Sequence, residues 1–478
     1  MLFNSLTFGI FLTITYVLYW TFFRKNVGFR NIFLLIASYF FYGWWNWKLL
    51  PLIAGISAVD YFSGMLIARR KEQSGSGKGI LILALVVNLG VLCFFKYFNF
   101  FAESFAAAFG FLSGRGSSFS PLDIVLPVGI SFYTFQGLSY VLDIYYGKTG
   151  PTKDVVAFFA FISFFPQLIA GPIERSKDLL PQFSKVKDFD YAETREGLLM
   201  IAWGLFKKMV IADRLAVFVD TVFADPASHQ GLPSVIAVLF FTFQLYLDFS
   251  SYSQIAIGTA RLFGFRLHAN FKRPYLSTTF KDFWKRWHIT LTSWFMDYLY
   301  IPLGGNRRSK ARTILNVMIV FAVSGLWHGA SWNFVIWGCI NGLFLVFFDK
   351  VVKLKPENVP AKLLCWLFVF GVWAASLVFF RASTLSDAVT MFGNLGFSHT
   401  DVVTSCGLGK SELIFSFLIL AALALYELLT QGRQEKVEKG FFSSPAVLRW
   451  LVYLLLVLSV LYLGEYGAND NAFIYFQF

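Results

Sequence analysis

Charge is scarce in this 478-residue chain: 14% of its residues are charged, against 57% hydrophobic and 20% aromatic. A soluble globular surface cannot be covered at that ratio. The composition therefore excludes a soluble enzyme and implies many runs of the ~20 apolar residues that cross a bilayer. Cysteine is scarcer still. Cys93, Cys339, Cys365 and Cys406 form neither a CxxC pair nor a metal-ligand spacing, so neither a disulfide framework nor a bound metal is expected. The chain lacks a GxSxG nucleophile elbow, a P-loop, and a GxGxxG followed by a ribose-binding acid, which sets aside an activated serine and the nucleotide-binding folds. It also lacks a His-x4-Asp pair, since Asn333 stands at that spacing from His328. No pair of halves repeats in the manner of inverted-repeat transporters. Met1 to Ser5 carries no basic stretch and no small-residue cleavage site follows, so the first apolar run is expected to be retained as a span.

The charge that is present has a sign and a place. A balance of +13 would point to nucleic acid in a soluble protein; in a membrane chain it points to basic cytoplasmic loops, and no nucleic-acid partner is expected. Arg24, Lys25 and Arg30 follow the first run, which puts the amino terminus outside. Lys272 with Arg273, the group Arg307, Arg308, Lys310 and Arg312, then Lys350, Lys353 and Lys355, and finally Arg433, Lys436 and Lys439 fall on one side. Alternation gives roughly 11–12 crossings with both termini external. Tyr97 to Ser120 reads as an external, partly interfacial segment. Pro127 to Tyr146 and Val155 to Ala170 carry proline, glycine and polar residues at membrane depth, as kinked or re-entrant elements do; such backbone is tolerated only where protein or a water-filled cavity covers it.

Two histidines stand out among five. His328 lies in the apolar stretch Gly325-Leu326-Trp327-His328-Gly329-Ala330-Ser331-Trp332, where an ionisable group is costly and marks chemistry, transport or interhelical hydrogen bonding. Ser324 or Gly325 with Gly329 would let a partner helix or slender substrate approach, with Trp327 and Trp332 walling the imidazole. His288 falls in a stretch whose Phe280, Phe283, Trp284, Trp287, Leu291, Trp294 and Tyr298 recur at helical spacing, with Lys281, Lys285, His288 and Thr292 on a neighbouring face. One amphipathic helix at the cytoplasmic interface is expected there, bound either to anionic headgroups or to the phosphates of an acyl donor. The Ile301 to Arg307 turn follows. His229, His268 and His399 are expected to be solvated.

Asn270-Phe271-Lys272-Arg273-Pro274-Tyr275, Phe283-Trp284-Lys285-Arg286-Trp287-His288-Ile289-Thr290, Asp297 to Arg307, and Gly325 to Trp332 resemble the signature of membrane-bound O-acyltransferases. The likeness is to the bacterial polysaccharide branch, the membrane subunits of alginate and peptidoglycan O-acetylation. Pro127 to Phe132, Ala170 to Glu174, Asp248-Phe249-Ser250-Ser251-Tyr252-Ser253 and the terminal Phe473-Ile474-Tyr475-Phe476-Gln477-Phe478 carry it along almost the whole chain. Ser251 and Gln254 depart from it, standing where that branch commonly has Gly and Asp.

The resemblance implies an all-α polytopic membrane protein built around a central channel, a single domain over 1–478. Its parts are N-terminal spans over 1–95, a catalytic core over 122–348 with a cytoplasmic amphipathic segment over 265–312, and C-terminal spans with an external tail over 361–478. It implies an O-acyltransferase in the cytoplasmic membrane that passes an acyl group, acetyl in the closest branch, from a cytoplasmic thioester to an extracytoplasmic polysaccharide. No cofactor is tightly bound in this picture; acetyl-CoA or an acylated carrier protein is the donor substrate, and the partner is an external SGNH-hydrolase-like acetyltransferase. His328 matches the family's essential histidine, His288 its second polar position, and Tyr475 a terminal acyl relay. Lys281, Lys285, Arg286, Trp287, Asn306, Arg307, Trp327, Ser331 and Trp332 are candidates for donor binding or the channel. A teichoic-acid D-alanyl transfer subunit and a non-catalytic carrier of the acyl donor are the competing functions.

Overall fold

The computed structural model describes residues 1–113, 119–348, 357–466 and 473–474. Helices account for the ordered elements, and the only strand-like pairing among these residues is an isolated bridge between Gly231 and Leu395. The protein is an all-α polytopic membrane protein. Its chain divides into two compact units: Met1–Gly197 with Thr259–His268 and Met296–Tyr298, and Leu198–Gly258 with Ala269–Phe295 and Leu299–Phe478.

In the first unit, α1 (Leu6–Leu18), α2 (Val27–Asn46), α3 (Leu50–Glu72), α4 (Lys78–Leu92) and α5 (Phe98–Ser113) precede α6 (Ile130–Tyr145), α7 (Val155–Ser163) and α8 (Ser176–Phe183). α6 packs on α3 and α4 and is buried from Ile130 to Ile144. A Cβ on Gly137 would lie 1.9 Å from Asp60 Oδ2, so only glycine lets α6 come this close to α3. Asn88 donates to the other Asp60 oxygen at 2.7 Å. After α7 the chain turns without helix through residues 164–175, and every one of these residues is buried. That is an interior element covered by protein, which is how non-helical backbone survives at membrane depth.

The second unit takes α9 (Tyr191–Leu205) from Leu198 onward and, after a π-helical stretch over Phe206–Ala212, α10 (Asp213–Ala224); it also takes most of α11 (Leu232–Leu262). It continues with α12 (Phe280–Arg286), α13 (Ile289–Phe295), α14 (Lys310–His328), α15 (Trp332–Val346), α16 (Val359–Arg381), α17 (Leu385–Gly393), α18 (Lys410–Leu429), α19 (Gln434–Ser443) and α20 (Ala446–Leu463). α14 and α15 form a tight antiparallel pair: a Cβ on Gly325 would meet Phe334 O at 2.1 Å, and one on Gly338 would meet Phe321 O at 2.2 Å. The small residues before His328 thus receive a partner helix.

Eight helices among the described residues are long and apolar enough to span a membrane, fewer than the 11–12 crossings expected, and one of them joins α2 and α3 over 46 residues. The shortfall has physical causes. α6 and α7 are 16 and 9 residues long, shorter than a bilayer needs. The helical run from Tyr191 to Ala224 carries Lys207, Lys208, Asp213 and Arg214. Trp332–Val346 is apolar but short. The basic residues Lys350, Lys353 and Lys355 lie outside the described residues, as does the 114–118 part of the external segment.

Candidate active site

The expected single amphipathic helix over residues 280–298 is instead two short helices that break at Trp287 and His288, and His288 adopts a left-handed φ of 42°. No proline or glycine causes the break. The preceding Asn270–Lys272 segment does, by bracketing the histidine: Lys272 N–H donates to Arg286 O at 2.9 Å and Ile289 N–H to Asn270 O at 2.9 Å. Both flanks are held, so the costly backbone conformation persists where the surroundings over-determine it. His288 consequently turns inward and is 1% exposed, not on an interfacial face.

His328 closes α14 and is 4% exposed. Its imidazole centroid lies 6.4 Å from that of His288. Rings enclose the pair. Trp327 is 5.1 Å from His328 and 5.9 Å from His288, while Trp337 and Phe380 lie 5.1 and 5.6 Å from His328. Phe249 stands edge-on to His288 at 4.7 Å. Trp332, expected beside the imidazole, is 53% exposed, and from the same helix, α15, Trp337 is buried against His328.

The His288 hydrogen bonds set its chemistry. Nδ1 lies 3.2 Å from Asn270 Oδ1, and Nε2 is buried with no hydrogen-bond partner among the described residues. A buried acceptor without a donor is costly in an apolar site, and its natural complement is a substrate O–H or S–H. Two buried imidazoles facing one another across an aromatic box can take a proton from a hydroxyl as that oxygen attacks an acyl carbonyl.

The last described residues of the chain reach the same box. Phe473 and Ile474 are 1% and 2% exposed. The Phe473 ring packs tilted against Tyr252 and Phe249, with ring centres 4.4 and 5.5 Å away, and Ile474 N–H donates to Asp248 Oδ2 at 2.8 Å. The other Asp248 oxygen accepts from Lys208 Nζ at 2.8 Å, and Lys208 also meets Asp213 at 2.7 Å. One desolvated cation thus balances two carboxylates, and the tail is tied to that group. Tyr475 lies outside the described residues.

The remaining candidates are spread over different environments. Trp287 is buried in an aromatic cluster with Trp373 and Phe271, ring centres 4.8 and 5.1 Å away. Lys281 and Lys285 are exposed, and Arg286 pairs with Asp282 at 3.0 Å. Asn306 and Arg307 are exposed on a turn whose Gly304 and Gly305 have φ of 106° and 54°, pinned to α14 by Asn316 Nδ2, which donates to Gly305 O at 3.0 Å. Ser331 caps α15 by accepting from Asn333 N–H at 3.1 Å. The residue that sequence reasoning missed is Asn270. It opens a motif quoted above, but nothing in spacing alone joins it to His288, 18 residues on. His268 is not simply solvated either: its Nδ1 lies 2.7 Å from Glu174 Oε2, and its backbone N–H donates to Glu174 Oε1 at 2.6 Å.

Residues 150–380 match the model of the membrane-bound O-acyltransferase family. The chain is 36% identical to the probable alginate O-acetylase AlgI of Pseudomonas putida, over 100% of both chains. It is 33% identical to the peptidoglycan O-acetyltransferase of Helicobacter pylori, over 95% of this chain and 93% of that protein. It is 27% identical to the teichoic acid D-alanyltransferase of Streptococcus thermophilus, over 53% of this chain and 68% of that one.

Proposed function

The chain belongs to the membrane-bound O-acyltransferase family and is an acyltransferase, and from that premise we propose that it takes an acetyl group from a cytoplasmic thioester and passes it across the membrane for O-acetylation of an extracytoplasmic polysaccharide. The observation that carries this reading is the buried pair His288 and His328 in its aromatic box, with His288 Nε2 unmet. His328 acts as the base. It takes the proton of the attacking hydroxyl as the oxygen bonds to the thioester carbonyl carbon; the C–S bond then breaks and the thiolate leaves, taking up a proton as the free thiol.

A charged donor such as acetyl-CoA or an acylated carrier protein cannot cross hydrocarbon cheaply, so only the acyl group travels. Tyr475 is the carrier in this reading, supported by the likeness of its terminal aromatic stretch to that of the branch and by Phe473, which packs beside Phe249 of the box, and Ile474, which is tied to Asp248. An external acetyltransferase of the SGNH-hydrolase type would receive the group. Likeness over the full length of relatives named for O-acetylation favours acetyl over D-alanyl as cargo.

The experiment is reconstitution of the purified protein in vesicles with a labelled acyl thioester on one side. We expect label to leave the thiol and appear on protein or acceptor. His328→Ala should slow this by about 10² to 10⁴-fold, the usual cost of losing a general base, while still purifying as a folded protein. His288→Ala should weaken transfer less, in a donor-dependent manner, and Tyr475→Phe should abolish polymer acylation. Passage of intact donor without transfer would identify a carrier instead, and a near wild-type rate in folded His328→Ala would remove the base.

A further inference from the structure

Asn270 is 1% exposed, and both polar atoms of its side-chain amide are engaged. Its Oδ1 lies 3.3 Å from Thr290 N, 3.0 Å from Thr290 Oγ1 and 3.2 Å from His288 Nδ1, and its Nδ2 donates to Ser253 Oγ at 3.2 Å. A backbone N–H can only donate, so the contact with Thr290 N identifies the atom facing His288 as the amide oxygen. An amide oxygen can only accept. His288 Nδ1 must therefore carry a proton, and in the neutral ring Nε2 must carry the lone pair.

From this geometry we propose that Asn270 is a positioning residue for acyl transfer, locking His288 as the Nδ1–H tautomer so that Nε2 serves the reaction site as an acceptor. This rests on reading the histidine pair as the reaction site, and it goes further by fixing which way one imidazole works. A neutral His288 so held cannot donate from Nε2 to a developing oxyanion. It can accept from a second substrate O–H or N–H beside the hydroxyl that His328 deprotonates. The two ring centres lie 6.4 Å apart, so both imidazoles can border one bound substrate. The same Asn270 contributes the backbone carbonyl that holds Ile289, so one residue sets both the backbone break and the tautomer.

The test reads the ring directly. In protein carrying ¹⁵N-histidine, the His288 signals are assigned by their loss in His288→Gln. Wild type should show Nδ1 protonated and Nε2 unprotonated at neutral pH. Asn270→Ala should give a mixed or reversed tautomer and lower transfer turnover at least about 10-fold with donor KM unchanged. Asn270→Asp keeps an acceptor for Nδ1–H and adds a charge that favours the imidazolium. It should restore the tautomer and move the acid limb of the pH–rate profile to higher pH, which a merely structural residue would not do. His288 protonated on Nε2 in wild type, or an unchanged tautomer in folded Asn270→Ala, overturns the assignment whatever the activity. Full activity in His288→Gln would overturn the reading of the pair itself.

Discussion

Glu174 lies near the end of a buried stretch of chain with its side chain wholly sealed from solvent, while the His268 side chain that meets it is 58% exposed. A carboxylate in that position must be satisfied, and His268 supplies both its backbone N–H and its ring. The hydrogen bond to Glu174 raises the His268 pKa above the ordinary imidazole value, against the lowering effect of burial. The sign for stability follows. A histidine whose folded pKa is raised adds stability that is fully present below its unfolded pKa, near 6.5, and that is lost as pH climbs through the folded value. The difference in thermal unfolding temperature between wild type and His268→Ala in detergent should therefore be largest at pH 6 and shrink towards pH 9. A difference that grew with pH would place the stabilisation elsewhere.

The element that carries His328 depends on how closely α14 and α15 approach. At Gly338 even a methyl group would sit 2.2 Å from a backbone carbonyl, which must push the helices apart, whereas a Cβ on Gly371 of α16 meets nothing within 4 Å. Overpacking of this kind costs about 1–3 kcal/mol. Gly338→Ala should accordingly lower both the unfolding temperature and the transfer rate by displacing His328 and Trp337, while Gly371→Ala stays close to wild type in the same two measurements. Equal behaviour of the two variants would mean that the helix pair yields without cost. His328 was legible in the sequence because a histidine within an apolar run has few explanations, and Gly325 and Gly329 announced the close helix. His288 was only half legible. The spacing from Phe280 to Tyr298 is regular and contains no breaker, so periodicity returns one helix; the bend comes from backbone pairing with Lys272 and Asn270, a tertiary effect no local pattern encodes. The crossing count suffered for a related reason: buried α6 and α7 are as apolar as spans yet too short to be ones, and composition alone does not separate those cases.

At the scale of the whole molecule, orientation decides on which side the donor is met, and the charge distribution argues for one answer. Arg307, Arg308, Lys310 and Arg312 occupy one turn and the helix start that follows it, and each basic residue near an anionic leaflet gains about 1 kcal/mol from its surface potential. A second basic group, Arg433, Lys436 and Lys439, falls at α19, whose residues are almost all exposed. We expect both segments to face the cytoplasm, both termini to face outward, and the protein to reside in the cytoplasmic membrane. The burial of His288 changes how this must be tested, because much of Lys272 to Arg312 lies inside the protein and would resist labelling on either side. The informative positions are the exposed ones. In a background freed of the four native cysteines, which include the exposed Cys93, Asn306→Cys and Glu435→Cys should stay unlabelled by an impermeant maleimide applied to intact cells. Both should react once the membrane is opened. Rapid labelling of either site in intact cells would invert the map and put the exposed Arg307 turn on the side of the polysaccharide, where no cytoplasmic thioester could reach it.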